Sequence, residues 1–140
     1  MELEYHINRV ISAEQFLDVL WRSGLAERRP VHDPNCIQGM LENSGLLLTA
    51  WAGEVLVGVA RSVTDYHYAC YLSDLAVDQA YQKRGIGKRL IALTQEQLGP
   101  QCSLILLAAP AANEYYAHIG FEHHPRCWVL PRDARVDCIE

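Results

Sequence analysis

Residues 71–93, Tyr71 to Leu93, read YLSDLAVDQAYQKRGIGKRLIAL. An apolar strand breaks here into a basic, glycine-containing loop, and the loop becomes a helix. Within Gln82-Lys83-Arg84-Gly85-Ile86-Gly87 two positions lack a Cβ, so the backbone can approach a ligand closely and point free N–H groups at an anion. The helix after the loop carries Ile86, Leu90, Leu93 and Leu98 on one face and is stopped by Gly99-Pro100, which puts its positive dipole end on the loop. Lys83, Arg84, Lys88 and Arg89 add four cations within seven residues. One helix-end interaction is worth roughly 0.3–1 kcal/mol, so an exposed loop needs its amides and cations together to hold a diphosphate. The stretch reads as a phosphate-holding turn.

Spacing excludes two common phosphate binders. A P-loop requires GxxxxGKS/T, which is absent, and the dinucleotide fingerprint GxGxxG needs a third glycine where Leu90 stands. The surrounding chain has 140 residues, 50% of them hydrophobic, and suits one domain over residues 1–140. A net charge of −5 makes the basic loop a local exception and argues against a nucleic-acid groove. The charged opening Met1-Glu2-Leu3-Glu4 and the lack of any apolar run of about 18 residues predict neither a signal peptide nor a membrane span, so a cytoplasmic location is expected. Cys36, Cys70, Cys102, Cys127 and Cys138 are odd in number, contain no CxxC pair, and read as reduced, mostly buried thiols. His123-His124 beside Cys127 reads as a turn with the histidines on opposite faces, and no metal is expected.

Taken in order, Glu2 to Ile7 alternates as a strand with Leu3, Tyr5 and Ile7 on one face. Ser12 and Gln15 make a capping box for a helix with Phe16, Leu17 and Leu20 as its apolar stripe, ended by Gly24. Asp33-Pro34 starts a second helix that runs to about Glu42. Leu46 to Trp51 and Val55 to Val63 form a hairpin through Ala52-Gly53-Glu54, and Ala69 to Val77 adds a third antiparallel strand after a turn around Asp65. Ser103 to Ala109 is a continuous apolar run typical of a buried strand, followed by a short helix from about Ala111 to His118. Gly120-Phe121 and Cys127 to Leu130 suggest a closing pair of strands. Trp21, Trp51 and Trp128 are expected in the core.

The spacing Gln-x-x-Gly-x-Gly, preceded by a strand ending Leu75-Ala76-Val77, resembles the acetyl-CoA pyrophosphate loop of the GNAT superfamily of N-acetyltransferases. A second element, about thirty residues on, strengthens the resemblance: in Asn113-Glu114-Tyr115-Tyr116-Ala117-His118-Ile119-Gly120-Phe121 an aromatic-tyrosine pair precedes Gly-Phe. The resemblance covers Leu46 to about Leu130. It implies an α+β fold, a central mostly antiparallel mixed sheet of six to seven strands with about four helices. It implies acetyl-CoA as co-substrate, held by Leu75, Ala76, Val77, Gln82, Lys83, Arg84, Gly85, Ile86, Gly87 and Lys88, with Tyr116 near the sulfur as general acid. Many relatives carry asparagine near the end of the strand after the central helix. Ala108-Ala109-Pro110 stands there instead, and Asn113 is expected to take over that contact. Read from helical spacing alone, Tyr115 and Ile119 pack inward and Tyr116 points elsewhere.

A thioester carbonyl laid against Leu75 to Val77 can be polarised by backbone N–H groups. The attacking amine must be neutral, and an alkylamine of pKa near 10.4 is so only about once in 2,500 molecules at pH 7. Asp74, within the strand beside the reacting centre, is the first candidate base, with His67, Tyr71 and Glu54 behind it. The opposing reading has Asp74 facing outward or bracing the loop. The expected reaction is acetyl transfer to a primary amine of a small molecule or peptide, with no nucleic-acid or membrane partner. The competing reading is a non-catalytic acyl-CoA-binding module of the same fold. A weaker third is a general nucleotide binder. Pairing of sheet edges through the C-terminal strands offers a homodimer.

Overall fold

The computed structural model describes residues 2–137; Met1 and the fifth cysteine, Cys138, lie outside that range. Local chemistry sets most element boundaries. The Gln15 N–H donates to the Ser12 hydroxyl while the Ser12 N–H donates to the Gln15 side chain, closing the capping box that starts helix α1, Ala13–Ser23. Gly24 ends it in the left-handed region, at φ 86°. Asp33 caps α2, Pro34–Glu42, by accepting from the Cys36 N–H, with proline where no helical donor is missed. Extended runs give β1 (Leu3–Ile7), β2 (Leu46–Ala52), β3 (Val55–Thr64) and β4 (Ala69–Val77). Helix α3, Ile86–Glu96, then leads to β5, Ser103–Leu106.

The strands form one sheet in the order β1-β2-β3-β4-β5, antiparallel except for the parallel β4–β5 joint that α3 bridges. On one face Phe16, Val19 and Leu20 of α1 and Ile37 of α2 form a core with Leu47, Trp51, Val59 and Ala76. On the other, α3 sits close over β3, because a Cβ at Gly58 would come within 3.1 Å of Leu90 and 3.2 Å of Ile86. These elements belong to one compact unit ending at Leu107, and the residues from Ala108 form a second. The second holds a 3-10 turn, Pro110–Ala112, and a short helix α4, Tyr115–His118.

The mixed α+β architecture is the expected one, with five strands among the described residues rather than six to seven. Gly120-Phe121 and residues 127–130 are not strands. The Arg126 N–H donates to His124 Nδ1 and the Cys127 N–H to the His124 carbonyl, so this segment turns instead of extending. β5 ends at Leu106, short of Ala109, and its Ile105 is exposed: it is a sheet edge among the described residues, not a buried strand. The buried face of α3 is Ile86, Leu90, Ile91 and Thr94, with Leu93 and Leu98 only half-buried. On β1, Leu3 and Tyr5 are half-buried but Ile7 is exposed. Trp51 is core, whereas Trp21 and Trp128 are exposed. Of the described cysteines only Cys70 is buried; Cys36 and Cys127 are exposed.

One carboxylate organises the β3–β4 turn. Asp65 Oδ1 accepts the N–H groups of His67, Tyr68 and Ala69 at 3.0, 2.8 and 3.0 Å. Those bonds, the one from Tyr68 foremost, hold its carboxyl below the ordinary 3.8. A depressed folded-state pKa stabilises the fold above that ordinary value, and the contribution disappears as pH falls through the lowered one. Asp65→Ala is expected to lower Tm at neutral pH, with the difference from wild type shrinking only once pH falls below 3.8, as thermal scans carried into acid will read.

Candidate functional site

The end of β4 is fastened before the loop begins. The Asp78 N–H donates to the Val57 carbonyl at 2.8 Å, and Asp78 Oδ1 accepts from the Ala80 N–H at 2.9 Å, which caps a 3-10 turn at Gln79–Tyr81. Arg22 of α1 donates to Asp78 Oδ2 and to the Leu56 carbonyl, tying the same corner to the helix. Gln82 then folds back and donates its amide to the Val77 carbonyl at 3.1 Å. Lys83 at φ 66° and Gly85 at φ 79° both take left-handed backbone, and Gly85 becomes the N-cap of α3.

This turn leaves a row of donors free. The first backbone bond into α3 runs from the Arg89 N–H to the Gly85 carbonyl, so among the described residues the N–H groups of Lys83 through Lys88 have no backbone acceptor. They surround the positive end of an 11-residue helix. Lys83 and Lys88 are exposed and in no ion pair among the described residues, while the Arg84 guanidinium lies 5.1 Å from the Tyr81 ring centre. The loop is therefore an uncompensated anion cradle. Ile86 contributes only its amide, since its side chain is buried in the core. A Cβ at Gly87 would meet Val77 at 3.8 Å and Leu75 at 3.9 Å, ordinary contact distances, so the space beside Gly87 is bounded by β4.

Next to the cradle the sheet opens. β4 pairs with β5 from Ala69–Ser103 to Leu72–Leu106 and no further, so the flank of Ser73–Val77 has no neighbouring strand among the described residues. On its other side the same segment stays paired with β3, from Arg61–Asp74 to Gly58–Val77. Leu75 and Val77 face α3, and Ala76 is buried in the opposite core. What Leu75, Ala76 and Val77 offer a ligand is backbone.

Asp74 does not reach that flank. Its side chain is fully buried, Oδ1 accepts from Arg29 Nε and Oδ2 from Arg61 Nε. With each oxygen accepting from a guanidinium group and the side chain fully buried, the surroundings of Asp74 favour the bracing reading over that of candidate base. Neither arginine was singled out from the sequence. The available signal was a charge, Arg61, inside the apolar run of β3 opposite another, Asp74, inside β4. Of the weaker candidates, His67 is in the turn before β4, roughly 25 Å of strand from its far end. Glu54 is an exposed turn residue and Tyr71 is partly exposed on β4.

In the second unit Tyr116 is half-buried between the rings of Tyr115 and Phe121, at centroid distances of 5.3 and 5.5 Å. Burial, and secondarily Tyr115, raises its phenol above the ordinary 10.0. Tyr115 is the more exposed of the two, the reverse of the helical-spacing expectation. Asn113 is exposed, at the end of the 3-10 turn. Among the described residues no three of His, Cys, Asp or Glu gather where they could hold a metal ion. A surface depression of about 430 Å³ lined by Asn8, Arg9, Leu41, Glu42, Ser44 and others contains none of the expected site residues.

Residues 12–127 match the family model of the acetyltransferase (GNAT) domain. A 75-residue stretch is 35% identical to histone acetyltransferase TAP1 of Glycine max, covering 50% of this chain and 31% of that protein. The GCN5-related N-acetyltransferase 2, chloroplastic, of Arabidopsis thaliana is 33% identical over 75 residues, 50% of this chain and 28% of its own length. The matched stretch thus spans about a third of these relatives. Among solved structures, a GNAT family acetyltransferase from Streptococcus pneumoniae superposes with TM-score 0.70 at 20% identity, over 92% of this chain and 98% of the other. The aminoglycoside N-acetyltransferase AAC(6')-Iy in complex with CoA gives TM-score 0.71 at 17% identity, over 95% and 96%. At these identities the structural likeness is one of fold.

Proposed function

Since this chain belongs to the GNAT acetyltransferase family, we propose that it moves the acetyl group of acetyl-CoA to a primary amine of a small molecule or peptide by direct attack. The observation that carries the reading is the junction of two features on one strand: among the described residues β4 has no β5 partner after Leu72, and the same strand leads into a cradle of amides without backbone acceptors. The amides of Lys83 to Lys88, with Lys83, Arg84 and Lys88 as counter-charges, are suited to a diphosphate. The unpaired backbone of Leu75 to Val77 is suited to an extended amide chain and to a polarised thioester carbonyl. Tyr116 is the proposed acid for the departing thiolate: its raised pKa keeps the phenol protonated at neutral pH. Asn113 is proposed as a further contact to CoA.

Proton removal from the amine is not assigned to Asp74. With Asp74 held by two arginines, the amine is proposed to enter neutral or to lose its proton to water. The same observation favours a second reading, a module that binds acyl-CoA without turning it over. Mixing the protein with acetyl-CoA and a panel of amines, and following free thiol, separates them: thiol release dependent on an amine supports transfer, and binding without release supports the module. Gly87→Trp is expected to weaken CoA binding on the order of tenfold or more, because its ring must occupy the space bordered by Leu75 and Val77. Native affinity in the tryptophan variant would move the cofactor away from this loop.

A further inference from the structure

Ser73 stands where β4 changes on both flanks. Toward β3, Arg61 pairs with Asp74 and Ser62 with Leu72, so Ser73 is the extra residue of a β-bulge. Toward β5, the preceding residue, Leu72, is the last that pairs. Two guanidinium groups hold this one residue. Arg29 Nη2 donates to the Ser73 carbonyl at 2.8 Å, and Arg61 Nη2 donates to the Ser73 hydroxyl at 3.1 Å. The same side chains hold the two oxygens of Asp74 next door.

Each arginine is also anchored elsewhere. Arg61 Nη1 donates to the Met40 carbonyl at 3.0 Å, near the negative end of α2, and to the Ser44 hydroxyl at 3.4 Å. Arg29 comes from the connection between α1 and α2 and donates to the Arg28 carbonyl at 2.8 Å. Strand pairing tolerates no small error here. A slip of one residue turns each side chain to the opposite face, and would carry the Asp74 carboxylate away from both guanidiniums and strand buried charge.

We propose that Arg29, Arg61 and Asp74 act as a positioning clamp that pins the bulge at Ser73 and so fixes where the sheet opens for the acyl group. The kinetic consequence rests on the acetyl-transfer reading above, whereas the structural consequence does not. Reacting groups must lie about 3–3.5 Å apart, and a misplacement of roughly 1 Å can cost on the order of 100-fold. A clamp one residue from the opening controls displacements of that size.

Two variants test it. Arg29→Lys keeps a cation beside Asp74 but lacks the fork that reaches Asp74 and the Ser73 carbonyl together. Ser73→Ala removes only the hydroxyl bond to Arg61 and leaves both ion pairs in place. For Arg29→Lys, kcat is expected to fall roughly 10- to 100-fold with Kd for CoA within about twofold. Amide hydrogen exchange should quicken at Ser73–Val77 and not in the β1–β2 pair, with Ser73→Ala moving both readouts the same way by less. Unchanged exchange at Ser73–Val77 in both variants overturns the clamp. So does a loss of CoA affinity in proportion to kcat, which marks a general structural brace. If the wild type transfers to no amine, the acetyl-transfer reading fails, and the exchange measurement alone decides the clamp.

Discussion

Replacing Tyr116 by phenylalanine will slow acetyl transfer by roughly 10²–10⁴-fold while leaving CoA affinity near the wild-type value. The substitution deletes one oxygen and keeps the ring, so the edge contacts with Tyr115 and Phe121 survive. On the role proposed for Tyr116, what is lost is the proton for the departing thiolate. Burial and the neighbouring Tyr115 push the phenol pKa above 10.0, so the wild-type group stays protonated at every pH where an assay is practical. Ionisation of Tyr116 should therefore depress the rate only in strong alkali. Thiol release at saturating acetyl-CoA measures the effect directly, and turnover equal to wild type would strip Tyr116 of the role.

Asp74→Ala is expected to destabilise the protein by about 3–5 kcal/mol, because removing one member of a buried ion network leaves the others uncompensated. Here the orphaned groups are Arg61, almost fully buried, and Arg29, mostly so. For a chain of this size the change corresponds to a drop in Tm on the order of 10 °C, and urea titration should show a lower midpoint with little change in slope. A catalytic base would behave differently, with activity lost and stability kept. A variant as stable as wild type yet inactive would restore Asp74 to the chemistry and remove it from the frame.

What could be read along the chain was whatever short-range chemistry settles. Ser12 with Gln15, Gly24 and Asp33-Pro34 lie where expected, the hairpin turns at Gly53-Glu54 with Ala52 still paired in β2, and β4 runs from Ala69 to Val77 as its pattern indicates. The surroundings of Asp74 could not be read, since they arrive from Arg29 and Arg61, 45 and 13 residues away. Thr94 is polar by type and breaks the apolar spacing, yet it is buried and hides its hydroxyl by donating to the Leu90 carbonyl at 2.8 Å. Periodicity misjudged Tyr115 and Tyr116 for a simpler reason: α4 is four residues long, too short for an i, i+4 rule to choose a face. In the loop, helical spacing places Ile86 on the apolar face with Leu90, and its side chain is buried there, so the contact to CoA that the resemblance implies is left to its amide.

Among the described residues no strand neighbours Ser73–Val77 on its β5 side, which makes the proposed substrate part of the architecture. An occupant that binds only the native chain stabilises it by mass action, about 2.7 kcal/mol when present at a hundred times its Kd. On the proposed function, the protein's melting temperature should then rise with the concentration of its thioester co-substrate.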